Sequence, residues 1–299
     1  MAAPDVGEFL RDTQAWVEPL LDEVLAPDAA VPATLTEAMR YAVLGGGKRT
    51  RPALARLVCR WCGGADLDVE APAVSIELIH AYSLIHDDLP CMDDDDWRRG
   101  RPSCHKQFGE ALAVLAGDGL QAHAFAVLSS IGRSSASDPR CQPALRVLAR
   151  AAGPSGMVGG QVLDMQLTGQ APALARIQEM QRKKTGALIA AAAELGAIAA
   201  RASEQRRATA AAWGAALGAC FQAVDDVLDV TADRAELGKT PGKDAAQHKP
   251  TLVAALGLDG ARLQAQQRAA EARELARTLG GEWAATGLQM VDFVLDRRS

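Results

Sequence analysis

Apolar positions recur at intervals of three and four along nearly the whole chain, and runs alternating apolar with polar residues are absent. The segment 69–88, "VEAPAVSIELIHAYSLIHDD", is the clearest case. Val74, Leu78, Ala81 and Ile85, continuing to Leu89, fall on one face of a helix. Alanine and leucine, both strong helix formers, dominate throughout. The pattern predicts helices over 5–25, 33–44, 50–63, 69–88, 106–131, 141–152, 155–168, 174–200, 204–231, 248–256, 260–279 and 282–296. The breaks carry turn chemistry: "LGGGKRTRP" (44–52), "IGRSSASDPR" (131–140), "AAGPSG" (151–156) and "LGKTPGKDAAQHKP" (237–250). None is long enough to link two domains. Residues 1–299 therefore read as one all-α domain, a helical bundle.

Composition narrows the class. Of 299 residues, 48% are hydrophobic and 23% charged, the balance of an ordinary soluble protein. A net charge of −5 with 4% aromatics gives neither a basic surface nor a stacking platform, so no nucleic-acid partner is expected. The start "MAAPDVGEFLRDTQAW" lacks a positive leader and an apolar run, so no signal peptide is expected. The richest apolar segment, "TGALIAAAAELGAIAA" (185–200), is short and carries Glu194, so no membrane span is expected either. Six scattered cysteines, with Cys59 and Cys62 lacking the second pair of a zinc site, read as free thiols of a cytoplasmic protein.

Charge placement changes the picture more. Two apolar helices end in acids, "HDDLPCMD" near 87 and "VDDVLD" near 225. Asp87 and Asp88 close one helix before Pro90, and Asp93 follows after four intervening residues; Asp225 and Asp229 share a helix face. One such group is as often a solvated surface as a site. Two on apolar helices point to a cation, and carboxylates without His or Cys suit Mg²⁺ that completes its shell with phosphate oxygens. Cations accompany them: Lys48, Arg49 and Arg51 after three glycines, Arg98 and Arg99 beyond the acids, Lys184 entering an alanine-rich helix, and Lys239 and Lys249 around a Gly/Pro loop. The glycine spacing is not that of a Walker loop. His80 lies two helical turns before Asp87, on nearly the same face. The ordinary alternative for Arg98 and Arg99 is to neutralise Asp93 to Asp96.

These segments, with "GEALAVLAGDGL", "GMVGGQVLDM", "KTGALI" and "GKTPGKDAAQHKPT", stand in an order that resembles the trans-prenyl diphosphate synthases, most closely the bacterial farnesyl diphosphate synthases. The resemblance covers about 45–255. It implies an isoprenoid-synthase fold, all-α around a central cavity, in a homodimer. It implies a Mg²⁺-dependent prenyltransferase with three ions per site when diphosphate is bound. The reaction would join isopentenyl diphosphate head-to-tail to dimethylallyl or geranyl diphosphate, through an allylic carbocation, giving farnesyl diphosphate. Asp87, Asp93 and Asp225 match the family's metal ligands. Lys48, Arg51, His80 and Arg99 match contacts to isopentenyl diphosphate, and Arg98, Lys184, Thr185, Gln222 and Lys239 contacts to the allylic diphosphate. Lys184, Thr185 and Gln222 would present dipoles to the cation. Tyr82 and Ser83, about one turn before Asp87, would set chain length, Tyr82 as the floor. Val224 departs from the family, which often carries a second glutamine there, and the hydrogen bonds around Asp225 are expected to differ. A geranylgeranyl or other chain-length synthase, a terpene cyclase, and a non-catalytic subunit of a heteromeric synthase are the alternatives. Asp94, Asp95 and Asp96 receive no role.

Overall fold

The computed structural model describes residues 5–131, 138–231 and 249–297. In chain order the elements are α1 (Val6–Val24), α2 (Ala33–Leu44), α3 (Thr50–Trp61), α4 (Asp66–Asp87), β1 (Trp97–Arg98), β2 (Arg101–Pro102), α5 (Cys104–Phe108), α6 (Glu110–Ser129), α7 (Cys141–Ala152), α8 (Met157–Leu167) and α9 (Leu174–Gln181). A π turn (Arg182–Gly186) leads into α10 (Ala187–Ala199), followed by α11 (Glu204–Thr231), α12 (Leu252–Leu279) and α13 (Ala284–Leu295).

Helix α10 is apolar on every side, which predicts full burial. It is packed by α3, α4, α7 and α11, with only Ala187, Ala190 and Glu194 partly exposed. The fit to α3 is backbone on backbone. A Cβ on Gly196 would stand 2.2 Å from the Ala55 carbonyl oxygen, so only glycine allows that approach. Helix α4 is the second central element, covered by α3, α6 and α10. Arg49 locks the loop before α3. It adopts a left-handed conformation (φ 46°), is 2% exposed, and donates to Glu77 Oε1 at 2.6 Å, Glu18 Oε1 at 2.8 Å and the Val43 carbonyl at 2.7 Å. Its charge is neutralised inside the bundle, and it does not line the cavity that its neighbours Lys48 and Arg51 reach.

The expected helices are present, with four departures of physical origin. The helix expected over 106–131 is cut at Gly109, whose φ of 86° no helix accommodates, giving α5 and α6. The one expected over 174–200 contains the π turn, with its wider hydrogen-bonded ring, at Lys184. The helices expected over 248–256 and 260–279 run together as α12, kinked at Gly257 (φ 72°). The fourth departure is a small hairpin in a chain read as wholly helical. Trp97 pairs with Pro102 and Arg98 with Arg101. Arg99 (φ 54°) and Gly100 (φ 76°) close it with the doubly left-handed turn that matches strand twist. One described helix, α6, is long and apolar enough by length and composition to cross a membrane, where the sequence led us to expect none. Ala113, Ala116, Leu120, Ala124 and Leu128 bury one of its faces in the bundle, where it packs on α4.

Candidate active site

The C-terminal end of α4 and the last third of α11 open onto one cavity of about 690 Å³. Helix α4 contributes His80, Tyr82, Ser83 and Asp87, and α11 contributes Phe221, Gln222, Asp225, Asp226 and Asp229. The loop after α4 adds Met92 and Asp93. Lys184 and Thr185 enter from the π turn, Lys48 from the loop before α3, Arg51 from the start of α3, and Arg98 from the hairpin. Helix α8 forms the apolar wall with Met157, Val158, Val162 and Met165. A second cavity of about 700 Å³, between α9, α10, α11 and α12, is walled by alanines together with polar and charged side chains and touches none of these aspartates.

The local chain explains how Asp87 and Asp93 come together. After α4 ends, the loop folds back on itself. Asp93 N–H donates to the Asp87 carbonyl at 2.9 Å, Asp94 N–H to Leu89 at 3.1 Å and Asp95 N–H to Asp88 at 3.1 Å. Asp94 takes the left-handed conformation (φ 48°) that this reversal needs. Asp87 and Asp93 thus share one edge of the cavity. Asp88 turns away: it is 2% exposed and accepts from Arg98 Nε at 3.0 and 3.1 Å. Arg98 also approaches Asp95, and Lys106 pairs with Asp96 at 2.8 Å. Part of the basic set therefore does neutralise the acids, as the ordinary alternative held, while Arg98 still lines the cavity.

Burial pushes Asp87 up to about 6, helped by Asp93 and Asp88 and opposed by Lys184 and Arg98. A carboxylate held this way is short of positive charge. Lys249 Nζ lies 3.1 Å from Asp93 Oδ1, and Arg297 pairs with Asp225 while its guanidinium stands over the Phe221 ring. Oxygen donors alone, already drawing in cations, fit a hard divalent metal. Among the described residues, the tight group of three potential ligands is Asp94, Asp96 and His105, all within 4.8 Å. Asp87, Asp93 and Asp225 form no such tight cage. A spread set suits ions that share diphosphate oxygens better than one ion fully wrapped by protein.

The cations around Arg51 look different. Arg51 Nε is buried without a hydrogen-bond partner, and burial lowers the guanidinium below its usual range. His80 is driven well below the ordinary imidazole range by burial and by the charges of Arg51 and Arg99, so it is neutral at pH 7. Burial, then Arg297, also lower Lys48. A buried donor lacking an acceptor is what an anion would satisfy. Arg99 does not line this cavity. It donates to the Gly46 carbonyl and rests against Gly47, within electrostatic reach of Arg51 and His80. Lys239 lies outside the described residues.

Lys184 reaches Asp164 Oδ2 of α8 at 2.5 Å. Thr185 Oγ1 donates to Gln222 Oε1 at 2.9 Å, and Gln222 Nε2 donates to Asp226 Oδ1 at 3.0 Å. Tyr82 is 5% exposed, stacks edge-on with His86 at 5.7 Å between centroids, and lines the same cavity as Asp87; Ser83 Oγ is turned to the His80 carbonyl at 2.9 Å. Sequence reasoning missed Asp164, Gln181 and Arg297. Asp164 had a signal, because Met157, Gln161 and Asp164 follow helical spacing along α8. Gln181 and Arg297 had none, since only the fold brings them to α11.

A helical bundle whose cavity is faced by two aspartate groups and two sets of cations has the architecture of an isoprenyl synthase. The polyprenyl synthetase family model matches residues 32–279, and the chain belongs to that family. It is 42% identical to farnesyl diphosphate synthase of Escherichia coli over 93% of this chain and 94% of that one. It is 41% identical to geranylgeranyl pyrophosphate synthase 11 of Arabidopsis thaliana over 90% of this chain and 76% of that one. Among solved structures it is similar to an FPP/GFPP synthase of Zymomonas mobilis, with a TM-score of 0.86, 35% identity, and 97% and 98% of the two chains covered.

Proposed function

We propose that the protein is a Mg²⁺-dependent farnesyl diphosphate synthase that joins isopentenyl diphosphate to dimethylallyl or geranyl diphosphate. The observation that carries this is the meeting, in one cavity, of Asp87 and Asp93 with Asp225, beside two distinct cation sets. One reacting diphosphate needs one set, and two need both. A terpene cyclase handles one diphosphate and has no use for the set of Lys48, Arg51 and His80.

Asp87, Asp93 and Asp225 would hold the metal, three ions per site when diphosphate is present. Bound Mg²⁺ supplies electrostatic stabilisation of the departing diphosphate. Arg98, Lys184 and Lys239 bind the same leaving group and take up part of its charge. Thr185 and Gln222 set their oxygen dipoles towards the allylic carbon as it becomes cationic. Lys48, Arg51, neutral His80 as a hydrogen-bond donor, and Arg99 from behind them orient isopentenyl diphosphate so that its double bond faces that carbon. The new bond leaves a tertiary cation, which loses a proton to the diphosphate just released; no protein base is required. Met157, Val158, Val162 and Met165 keep water from the cation.

Product length follows from the floor. The Tyr82 ring is buried and lines the same cavity as Asp87, which supports its reading as the floor that a growing hydrocarbon would meet. Incubation with Mg²⁺, labelled isopentenyl diphosphate and a C5 or C10 allylic diphosphate, followed by chromatography of the dephosphorylated products, is expected to give the C15 alcohol. A C20 product from the unmodified protein supports the geranylgeranyl reading, and no elongated product removes the proposal. Tyr82→Ala is expected to shift the product to C20 or longer; unchanged C15 removes Tyr82 as the floor. The exposed face of α6, with Val114 at 39% and Leu115 at 56% exposure, supports pairing of two copies. Six free cysteines support a cytoplasmic location, which is the one proposed.

A further inference from the structure

Asp226 lines the cavity yet is held by donors of the protein. Gln222 Nε2 donates to Oδ1 at 3.0 Å, while Gln181 Nε2 and the Leu252 backbone N–H donate to Oδ2 at 2.8 and 2.6 Å. The carboxylate is 3% exposed, so these bonds fix its orientation. A consequence passes along the chain of bonds. A carboxamide has one donating end and one accepting end, and a carboxylate only accepts. Asp226 therefore decides which way Gln222 points: Nε2 faces Asp226 and Oε1 faces Thr185. Thr185 must then commit its single hydroxyl proton to Gln222, at 2.9 Å. What remains for the cavity is the lone pairs of Thr185 Oγ1 and the negative end of the Gln222 amide. Were Gln222 reversed, its N–H would point at Thr185, and the hydroxyl proton would be free to face the cavity.

Gln181 begins this sequence. It ends α9, is 8% exposed, lines the cavity, and is the side chain that ties α9 to Asp226 of α11. Val224 offers no amide, so the side-chain donors to Asp226 are Gln181 and Gln222. We propose that Gln181 is a positioning residue for prenyl transfer: by fixing Asp226 it sets the sense of the Asp226–Gln222–Thr185 hydrogen bonds, so that oxygen lone pairs, not protons, face the developing cation. This rests on the placement of Thr185 and Gln222 beside the allylic carbon.

The test compares Gln181→Leu, which removes the donor at similar volume, with Gln181→Glu, which keeps the shape and replaces the donor by a second acceptor. Both are expected to lower kcat about 10- to 100-fold, the usual scale for loss of a supporting hydrogen bond. KM for isopentenyl diphosphate should stay within about threefold, because Lys48, Arg51 and His80 are not members of the relay. The fraction of allylic substrate released as alcohol, the product of water capture, should rise. On an Asp226→Asn background, Gln181→Leu should cost little more, since the group it acts through is already changed. A purely structural role gives the opposite signature: lower melting temperature, raised KM, unchanged kcat and unchanged alcohol fraction. That result overturns the proposal. Gln222→Ala separates the two levels. If it is slow while both Gln181 variants match the parent, the positioning role alone falls. If it too matches the parent, the placement of Gln222 at the reacting carbon falls with it.

Discussion

At the scale of single residues, most charges of the site are paired within the protein, Arg98 with Asp88, Lys184 with Asp164, Lys249 with Asp93 and Arg297 with Asp225, while burial works against the charge of Asp87. Asp87 is half-buried and pushed up to about 6, against 3.8 for a free aspartate. A folded-state value above the unfolded one means the stabilising contribution is present in full below about 4 and is lost as pH rises through about 6. Ionised Asp87 is thus a liability of the metal-free protein at neutral pH. The full shift corresponds to about 3 kcal/mol, and partial exposure to a water-filled cavity reduces that to about 1 kcal/mol. Asp87→Asn should accordingly raise the melting temperature in EDTA at pH 7.5 by about 2 °C, with the gain shrinking below about pH 6 and disappearing by about pH 4. The same substitution should lower turnover by orders of magnitude. A metal-free melting temperature that falls at pH 7.5 would show that Asp87 is stabilised, not strained, where it stands. The pairs Lys249–Asp93 and Arg297–Asp225 belong to the same logic. Each cation occupies a carboxylate proposed to hold the metal, so metal binding there would include the cost of opening an ion pair.

At the scale of elements, what was legible in the sequence was whatever is local. Helical periodicity marked α4 and α11, and the acids at their ends marked the cavity, because both signals repeat within one element. What escaped was set by contacts between elements. The π turn at Lys184 is invisible in "RKKTGALI", a good helical sequence, yet it is where α8 presses against the chain. A Cβ on Gly160 of α8 would stand 2.1 Å from Lys184 N and 2.5 Å from its Cα. Arg49 likewise reads as one more cation of a basic loop, and only the buried Glu77 on α4 reveals that it faces inward. The hairpin at 97–102 was missed because its strands are two residues each, too short for any alternation to show. Gly160→Ala tests the first of these contacts. The methyl group has backbone, not a flexible side chain, in its way, so α8 or the π turn must move. The expected outcome is a loss of about 1–3 kcal/mol in stability and a larger loss in kcat for the allylic substrate, because Lys184 and Thr185 move together. Denaturant unfolding and steady-state kinetics on the same preparation read both. Parent-like kcat would mean that the turn is not positioned by α8.

At the scale of the whole molecule, α6 has two faces with opposite fates. Ala113, Ala116, Leu120, Ala124 and Leu128 are buried against the bundle, whereas Ala111, Val114, Leu115, Ala122 and Ala126 are exposed at helical spacing, interrupted by Asp118. A row of small and branched apolar side chains along about four turns is costly to leave in water and is flat enough to meet its own copy about a two-fold axis. The same helix packs on α4, whose C-terminal end supplies Asp87. Pairing through α6 would therefore brace the element that positions the first aspartate group, and assembly and activity should fall together. Leu115→Glu places a charge at the most exposed large apolar position of that row. Light scattering after size-exclusion chromatography is expected to show the parent at twice the chain mass, 31.4 kDa, and the variant at the chain mass itself. The monomeric variant should keep its helical circular dichroism, since Leu115 is 56% exposed and contributes little to the core. Its turnover should drop, and raising the protein concentration should restore it in proportion to the dimer re-formed. A variant that remains dimeric would move the interface elsewhere, and a monomer with full turnover would free the site from any dependence on its neighbour.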